Sequence, residues 1–190
     1  MVSNIILFDD DNWEGLLPLT FTRPICELRV GILTIREKWE KHLNAKGSYI
    51  TQDFLSEKYP ITIEEDNIII NSTVLPTSKL VKLVKQLGNN EAILDGDELL
   101  AARLTKSQFD NLIDDTGITE LDGIDVSNDF DVIRRIVRPY DIFTQNEVEI
   151  KNDFDLYSND SYQLNDFKEP LLLFPVFLSH VYKACEIVPP

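Results

Sequence analysis

Cations, cysteines and long apolar runs are all scarce in this chain, and each shortage removes a class of function. Eighteen lysines and arginines face 33 aspartates and glutamates in 190 residues, a formal net charge of -15. A polyanion such as DNA or RNA is repelled by that field unless a local basic patch overcomes it, and the sequence holds no such patch. The two cysteines, Cys26 and Cys185, lack the paired spacing of a zinc or redox motif and read as free, mostly buried thiols of a reducing compartment. The most apolar stretch, Leu171 to Leu178, is eight residues long with Pro175 inside it, against about 20 needed to cross a bilayer. Asn4 to Phe8 is short and runs into three aspartates, unlike a secretory signal. The expectation is a cytoplasmic protein that binds neither nucleic acid nor membrane. A P-loop glycine run and a Gly-x-Ser-x-Gly elbow are missing as well. His42 and His180 have no partner at metal-ligand or triad spacing, which leaves them surface or packing roles.

What is present suits an α/β domain with one main core, since 43% of the residues are hydrophobic. Asn4-Ile5-Ile6-Leu7-Phe8 and Asn67-Ile68-Ile69-Ile70-Asn71 are short apolar runs, the pattern of strands buried on both faces of a parallel sheet. Between them Leu28, Ile32, Ile35, Trp39 and Leu43 recur at helical spacing and predict one amphipathic helix, with Arg36, Glu37, Lys38, Glu40 and Lys41 on its polar face. A second helix is predicted from Ser78 to Leu87, with Pro76 ahead of it and Gly88 as its stop. Asp95-Gly96 between apolar runs predicts a hairpin over residues 92–103, placing antiparallel strands at one edge of the sheet. Thr105 and Gln108 form a capping box ahead of Phe109, Leu112 and Ile113. Residues 114–129 read as an irregular connection, and Pro139 as the start of a helix carrying Phe143, Ile150 and Phe154. Ser158 to Lys168 is polar and turn-rich, and no internal repeat is visible. The run Leu171–Leu178 would pack on the core or on a second subunit, or, if exposed, invite association, so a homo-oligomer is one expectation.

The most informative stretch joins the first strand to the first helix, where α/β folds place chemistry. Pro18 and Pro24 stiffen it, and Arg23 and Arg29 put two cations into an acidic protein. The run Leu16-Leu17-Pro18-Leu19-Thr20, then Thr22-Arg23-Pro24, Glu27-Leu28-Arg29, Gly31-Ile32 and Thr34-Ile35, resembles the N-terminal signature of sugar-phosphate nucleotidylyltransferases. It is similar in particular to the N-acetylglucosamine-1-phosphate-uridyltransferase-like branch, as are Asn71-Ser72-Thr73-Val74-Leu75-Pro76, Leu100-Ala101-Ala102-Arg103, and Asp141-Ile142-Phe143 with Asp153-Phe154.

The resemblance implies a Rossmann-like nucleotidyltransferase fold, a mixed, mostly parallel sheet flanked by helices, over residues 1–157. Residues 158–190 would be a polar connection and apolar tail; such proteins usually continue into a left-handed β-helix, so the expectation is either a piece truncated before one or a stand-alone first domain. It implies a nucleoside triphosphate and a sugar phosphate as partners, with release of pyrophosphate, and Mg2+ as cofactor. Arg23 and Arg29 would be the catalytic phosphate contacts; Pro18, Leu19, Thr20, Glu27 and Asn71 would line the substrate; Asp9 or Asp97 would hold the metal. The departures from the family pattern are equally specific. Asp9-Asp10-Asp11-Asn12-Trp13-Glu14-Gly15 stands where a glycine-rich loop ending in arginine is expected, and Ile25 follows Pro24 where lysine is expected. Asn71-Ser72 replaces the Gly-Asp that follows a central strand, while Gly96-Asp97 has those letters inside a hairpin turn, where Gly and Asp are favoured for backbone reasons alone. Arg23 and Arg29 could equally pair with Glu14, Glu27 or the aspartates, and Asp9–Asp11 could equally be a solvated helix cap. Two readings therefore stand, an active nucleotidyltransferase with a rebuilt loop and a catalytically degenerate fold serving as a binding or scaffold module.

Overall fold

The structure, a computed structural model, describes residues 4–113, 121–129 and 131–159. The run Leu171–Leu178, His180 and Cys185 lie outside them. The chain divides into two compact units, Met1–Leu156 and Tyr157–Pro190, and the sheet, the core and the candidate site all lie in the first.

Six strands form one sheet: β1 (Asn4–Phe8), β2 (Lys46–Ile50), β3 (Asp66–Asn71), β4 (Glu91–Asp95), β5 (Glu98–Thr105) and β6 (Asp122–Asp125). Their order is β2-β1-β3-β5-β4-β6. β1 pairs in parallel with both β2 and β3, β5 is antiparallel to β3 and β4, and β6 is parallel to β4. The α/β, Rossmann-like expectation holds. The hairpin is present, turning at Gly96 with φ of +61°, but it is not an edge: β5 lies inside the sheet and β6 pairs outside β4. β6 falls in the stretch read as irregular because Asp122-Gly123-Ile124-Asp125 is exposed along its length and carries no apolar alternation. β2 was likewise illegible, being an edge strand of sequence Lys-Gly-Ser-Tyr-Ile.

Alternation along the strands sorts the core onto two faces. Ile5, Leu7, Ile68 and Ile70 meet Trp39, Leu80 and Val84 on one face, under the helices α1 (Ile35–Leu43) and α3 (Ser78–Gln86). Ile6, Ile69, Ala102 and Leu104 meet Phe109, from α4 (Lys106–Ile113), on the other. Trp39 adds a hydrogen bond from its indole N–H to the Val74 carbonyl at 2.9 Å, so its stripe is core. A one-turn helix α2 (Asp53–Ser56) follows β2.

The predicted helix over Leu28–Leu43 is shorter than its periodicity. Thr34 caps α1: its hydroxyl accepts from the Glu37 amide at 3.2 Å, and the Glu37 carboxylate accepts from the Thr34 amide at 2.7 Å. Gly31, with φ of +82°, bends the chain just before it. Leu28 and Ile32 therefore lie in the loop. Between β1 and α1 the chain makes three 3-10 turns, Asp11–Leu16, Leu19–Phe21 and Ile25–Glu27.

Lys38 was expected on the polar face of α1 but is buried. The reason is α5 (Pro139–Asn159), which turns a polar side inward. Lys38 pairs with Glu149 at 2.9 Å and with Asp153, and Arg134 pairs with Glu149 at 2.9 Å. The Asp153 carboxylate also accepts the Ile32 and Leu33 amides at 2.8 and 3.0 Å, and Asn146 accepts the Gly31 amide at 2.9 Å. Phe143, Ile150 and Phe154 consequently face outward, Phe143 being 80% exposed, so their spacing does not mark the buried side of α5. These bonds give the Gly31-Ile32 and Asp153-Phe154 pieces of the signature a structural role: they clasp the last helix to the loop before α1.

Candidate functional site

The strand order puts a topological switch point at the carboxyl ends of β1 and β3. The chain leaves β1, returns as β2 on one side and then crosses to β3 on the other, the switch at which open α/β sheets bind ligands. The residues that follow these two strands are Asp9 and Asp10, and Asn71 to Thr73.

Asp9 is held from three directions. One oxygen accepts the Ile25 amide at 3.1 Å and the other the Thr51 hydroxyl at 2.7 Å, and the Ser72 hydroxyl lies beside it. Burial raises its pKa to about 6, with the neighbouring Asp10 charge adding to the rise, while these hydrogen bonds pull the other way. The Ser72 hydroxyl is itself buried with no completed hydrogen bond, while the Ser72 amide donates to the Phe8 carbonyl at 2.8 Å. Next to it Cys26 is a buried free thiol, its pKa pushed well up by burial and then by the charges of Asp9 and Glu27.

Asp10 is the N-cap of the first 3-10 turn. It accepts from the Asn12 amide at 3.0 Å, from the Asn12 side chain at 2.9 Å and from the Asn71 side chain at 2.8 Å. Asn71 accepts in turn from the Thr73 amide at 2.9 Å and hydroxyl at 2.6 Å. The Asp10–Asn71 bond thus ties the ends of β1 and β3 together, 61 residues apart in sequence. Asp11 is exposed. The three consecutive aspartates have three different roles, one half-buried and held by Ile25 and Thr51, one a cap and one in solvent.

The remaining sequence candidates separate. Thr20 is buried and donates to the Trp13 carbonyl at 2.8 Å, whereas Pro18 and Leu19 are exposed. Glu27 accepts from Arg36 at 2.5 Å and from the Tyr49 hydroxyl at 2.8 Å, pinning its turn to α1 and β2. Burial opposes the Arg36 charge, but the bonds to Glu27 and Glu40 outweigh it and hold the pKa up. Arg29 is exposed and donates to the Ile32 carbonyl, bracing its own loop. Arg23 is exposed, two residues before the Ile25 amide that binds Asp9. Asp97 is exposed in the β4–β5 turn. Among the described residues neither Arg23 nor Arg29 forms an ion pair with Asp9, Asp10 or Glu27.

A cation not singled out in the sequence does reach this end of the sheet. Residues 134–136 run beside residues 73–75, the Leu75 amide donating to the Arg134 carbonyl at 2.9 Å and the Ile136 amide to the Thr73 carbonyl at 2.8 Å. Arg135 projects from that segment to the hairpin, pairing with Asp95 at 3.3 Å and with Glu98. Its side chain is only 14% exposed, and its Nε and Nη2 atoms are buried without hydrogen-bond partners. Nothing in the local sequence Val-Ile-Arg-Arg-Ile-Val distinguishes Arg135 from Arg134.

Among the described residues no three acidic, histidine or cysteine side chains form a cluster able to enclose a metal. Mg2+ asks for less, one or two carboxylates with the rest of its shell from phosphates and water. Asp9 and Asp10 supply that number of carboxylates, and among the described residues Asp9, half-buried, has no cation in an ion pair with it.

A family model described as sugar nucleotidyl transferase matches residues 5–161. No curated protein matches the chain.

Proposed function

The chain belongs to the sugar nucleotidyl transferase family, and from that premise we propose that it transfers a nucleotidyl group from a nucleoside triphosphate to a sugar 1-phosphate, releasing pyrophosphate. The observation that carries this reading is the meeting of Asp9, Asp10 and Asn71 at the carboxyl ends of β1 and β3. In the reaction an oxygen of the sugar phosphate bonds to the α-phosphorus as the bond from that phosphorus to the pyrophosphate oxygen breaks. The attacking phosphate is already ionised near neutral pH, so the site needs no strong base. It needs positive charge and alignment.

Asp9 and Asp10 are the residues that would hold Mg2+, which when bound neutralises phosphate charge. Arg135 takes the part of the arginine and lysine missing from the signature: its guanidinium carries the charge, and its Nε, which has no hydrogen-bond partner, is the donor it could turn to a phosphate oxygen once Asp95 and Glu98 let go of the rest. Arg23, on the loop that supplies the Ile25 amide, is the second cation in this reading. Asn71 orients Asp10. Membership of the uridyltransferase-like branch, a cytoplasmic location and a homo-oligomer remain part of the same proposal.

A second reading, a degenerate fold acting as a binding module, is favoured by one observation. Arg135 is already occupied by Asp95 and Glu98. A pyrophosphate-release assay with magnesium, the four common triphosphates and a panel of sugar 1-phosphates separates the two. Release that depends on both substrates, and that falls at least a hundredfold in Asp10→Asn, supports the enzyme; no release with any pair supports the module.

A further inference from the structure

A concavity lies one side chain away from Asp9. It is a pocket of about 220 Å³ lined by Tyr49, Ile50, Thr51, Ser56, Tyr59, Ile61 and Phe109. Thr51 is shared, since its hydroxyl is the donor to Asp9. The volume is below the 300–1,000 Å³ or so usual for pockets that enclose a drug-sized ligand, so a single ring system fits and a whole nucleotide does not.

The lining narrows the chemistry. No charged side chain lines the pocket, so it is not a phosphate site. A pyranose carries hydroxyls around most of its ring and needs polar partners on every side, whereas Ile50, Ile61 and Phe109 offer none. The aromatic walls are ordered: Tyr49 and Tyr59 meet edge to face with centroids 5.2 Å apart, and Lys58 lies 5.1 Å over the Tyr59 ring. Three lining hydroxyls have spent their hydrogens, Thr51 on Asp9, Ser56 on the Asp53 carbonyl at 2.7 Å and Tyr49 on Glu27. They present lone pairs only, the complement of ring N–H and amino groups.

We propose that this pocket receives the nucleobase of the substrate, its N–H edge on the Thr51 and Ser56 oxygens and its face against the tyrosines, with the phosphates extending past Thr51 toward Asp9 and Asp10. The assignment rests on the reading that the ligand is a nucleotide. Apolar walls and a few hydrogen bonds to the base edge are how proteins hold an isolated base.

The test is calorimetry on the full chain with magnesium, titrating the four triphosphates, the four uncharged nucleosides and inorganic tripolyphosphate. Ser56→Leu fills the pocket from an exposed position, Tyr59→Ala removes one wall, and Tyr59→Phe retains the ring; melting curves verify that each folds. At least one triphosphate is expected to bind more tightly than tripolyphosphate. Ser56→Leu and Tyr59→Ala should weaken that triphosphate about tenfold and leave tripolyphosphate unchanged, while Tyr59→Phe stays within about threefold of the parent. Triphosphate affinity unaltered in folded Ser56→Leu and Tyr59→Ala overturns the base site and leaves the nucleotidyl reading standing. If neither triphosphate nor tripolyphosphate binds, the nucleotidyl reading fails; nucleoside binding lost in Ser56→Leu would then still support the pocket, and its absence would end the proposal.

Discussion

Lys38 and Asp153 stand 115 residues apart and form a buried ion pair, Lys38 1% and Asp153 0% exposed. Glu149 completes the pair from the next turn of α5, and the amides of Ile32 and Leu33 fill the remaining acceptor positions of Asp153. Removing one partner of such a cluster strands the others in a place where water cannot reach them. Lys38→Met is therefore expected to lower stability by about 3–5 kcal/mol, measured by urea denaturation. Lys79→Met, which breaks exposed pairs with Asp129 and Asp131, is expected to change it little. Equal effects of the two would show that burial does not govern the cluster.

Gly31→Ala attacks the same clasp from the backbone. A Cβ there would stand 2.7 Å from an Asp153 oxygen and 2.8 Å from the Glu149 carbonyl carbon, at a φ of +82° that L-residues avoid. The strain alone costs about 1–3 kcal/mol, and the clash adds to it. Gly96→Ala, at φ of +61° but with open space around it, should show the strain without the clash. Comparing the two denaturation midpoints separates the contributions.

Asp9 ties stability to pH. Its carboxyl titrates near 3.8 in the unfolded chain and near 6 in the fold. Between those values the native state keeps a proton that the unfolded state has lost, so the Asp9 contribution to stability falls as pH rises from 3.8 through 6. At neutral pH the penalty is roughly 3 kcal/mol. Asp9→Asn should accordingly be more stable than the parent at pH 7 and no more stable at pH 3.5, while losing nucleotidyl transfer. Melting curves at the two pH values check this, and a parallel pH dependence in parent and variant would contradict it.

Three arginines discriminate a phosphate site from a braced loop. Arg135→Ala is expected to weaken triphosphate binding at least tenfold, and Arg23→Ala less. Arg29→Ala should lower the melting temperature while leaving affinity near the parent value, because Arg29 donates to the Ile32 carbonyl of its own loop. Glu98→Gln, which loosens the carboxylate that occupies Arg135, should tighten binding of inorganic pyrophosphate. Titration calorimetry of the four variants measures the affinities, and melting curves of Arg29→Ala and the parent measure the stability difference.

Much of the fold was legible because apolar runs and caps are local. β1 and β3 announced themselves by short apolar runs that fill four and five consecutive buried positions, α3 by its stripe, and the hairpin by Asp95-Gly96. β2 and β6 were not, since an edge strand is held by backbone hydrogen bonds that any side chain permits. α5 misled for a related reason: Phe143, Ile150 and Phe154 have helical spacing, but the buried side was decided by Lys38 and Gly31 waiting on another element.

The candidate site divides along the same line. Sequence by itself determined the family signature, the strand ends that bear Asp9, Asp10 and Asn71, and the loss of the glycine loop with its arginine and lysine. Tertiary structure alone decided that Asp9 is half-buried and bound to Ile25 and Thr51 and that Asp10 is a cap, that Glu27 is bound to Arg36 and Tyr49, and that Arg135 reaches the same end of the sheet. The charge state of a carboxyl, and whether an arginine is free to hold a phosphate, depend on water exclusion and on partners tens of residues away. Those quantities exist only once the chain has closed on itself.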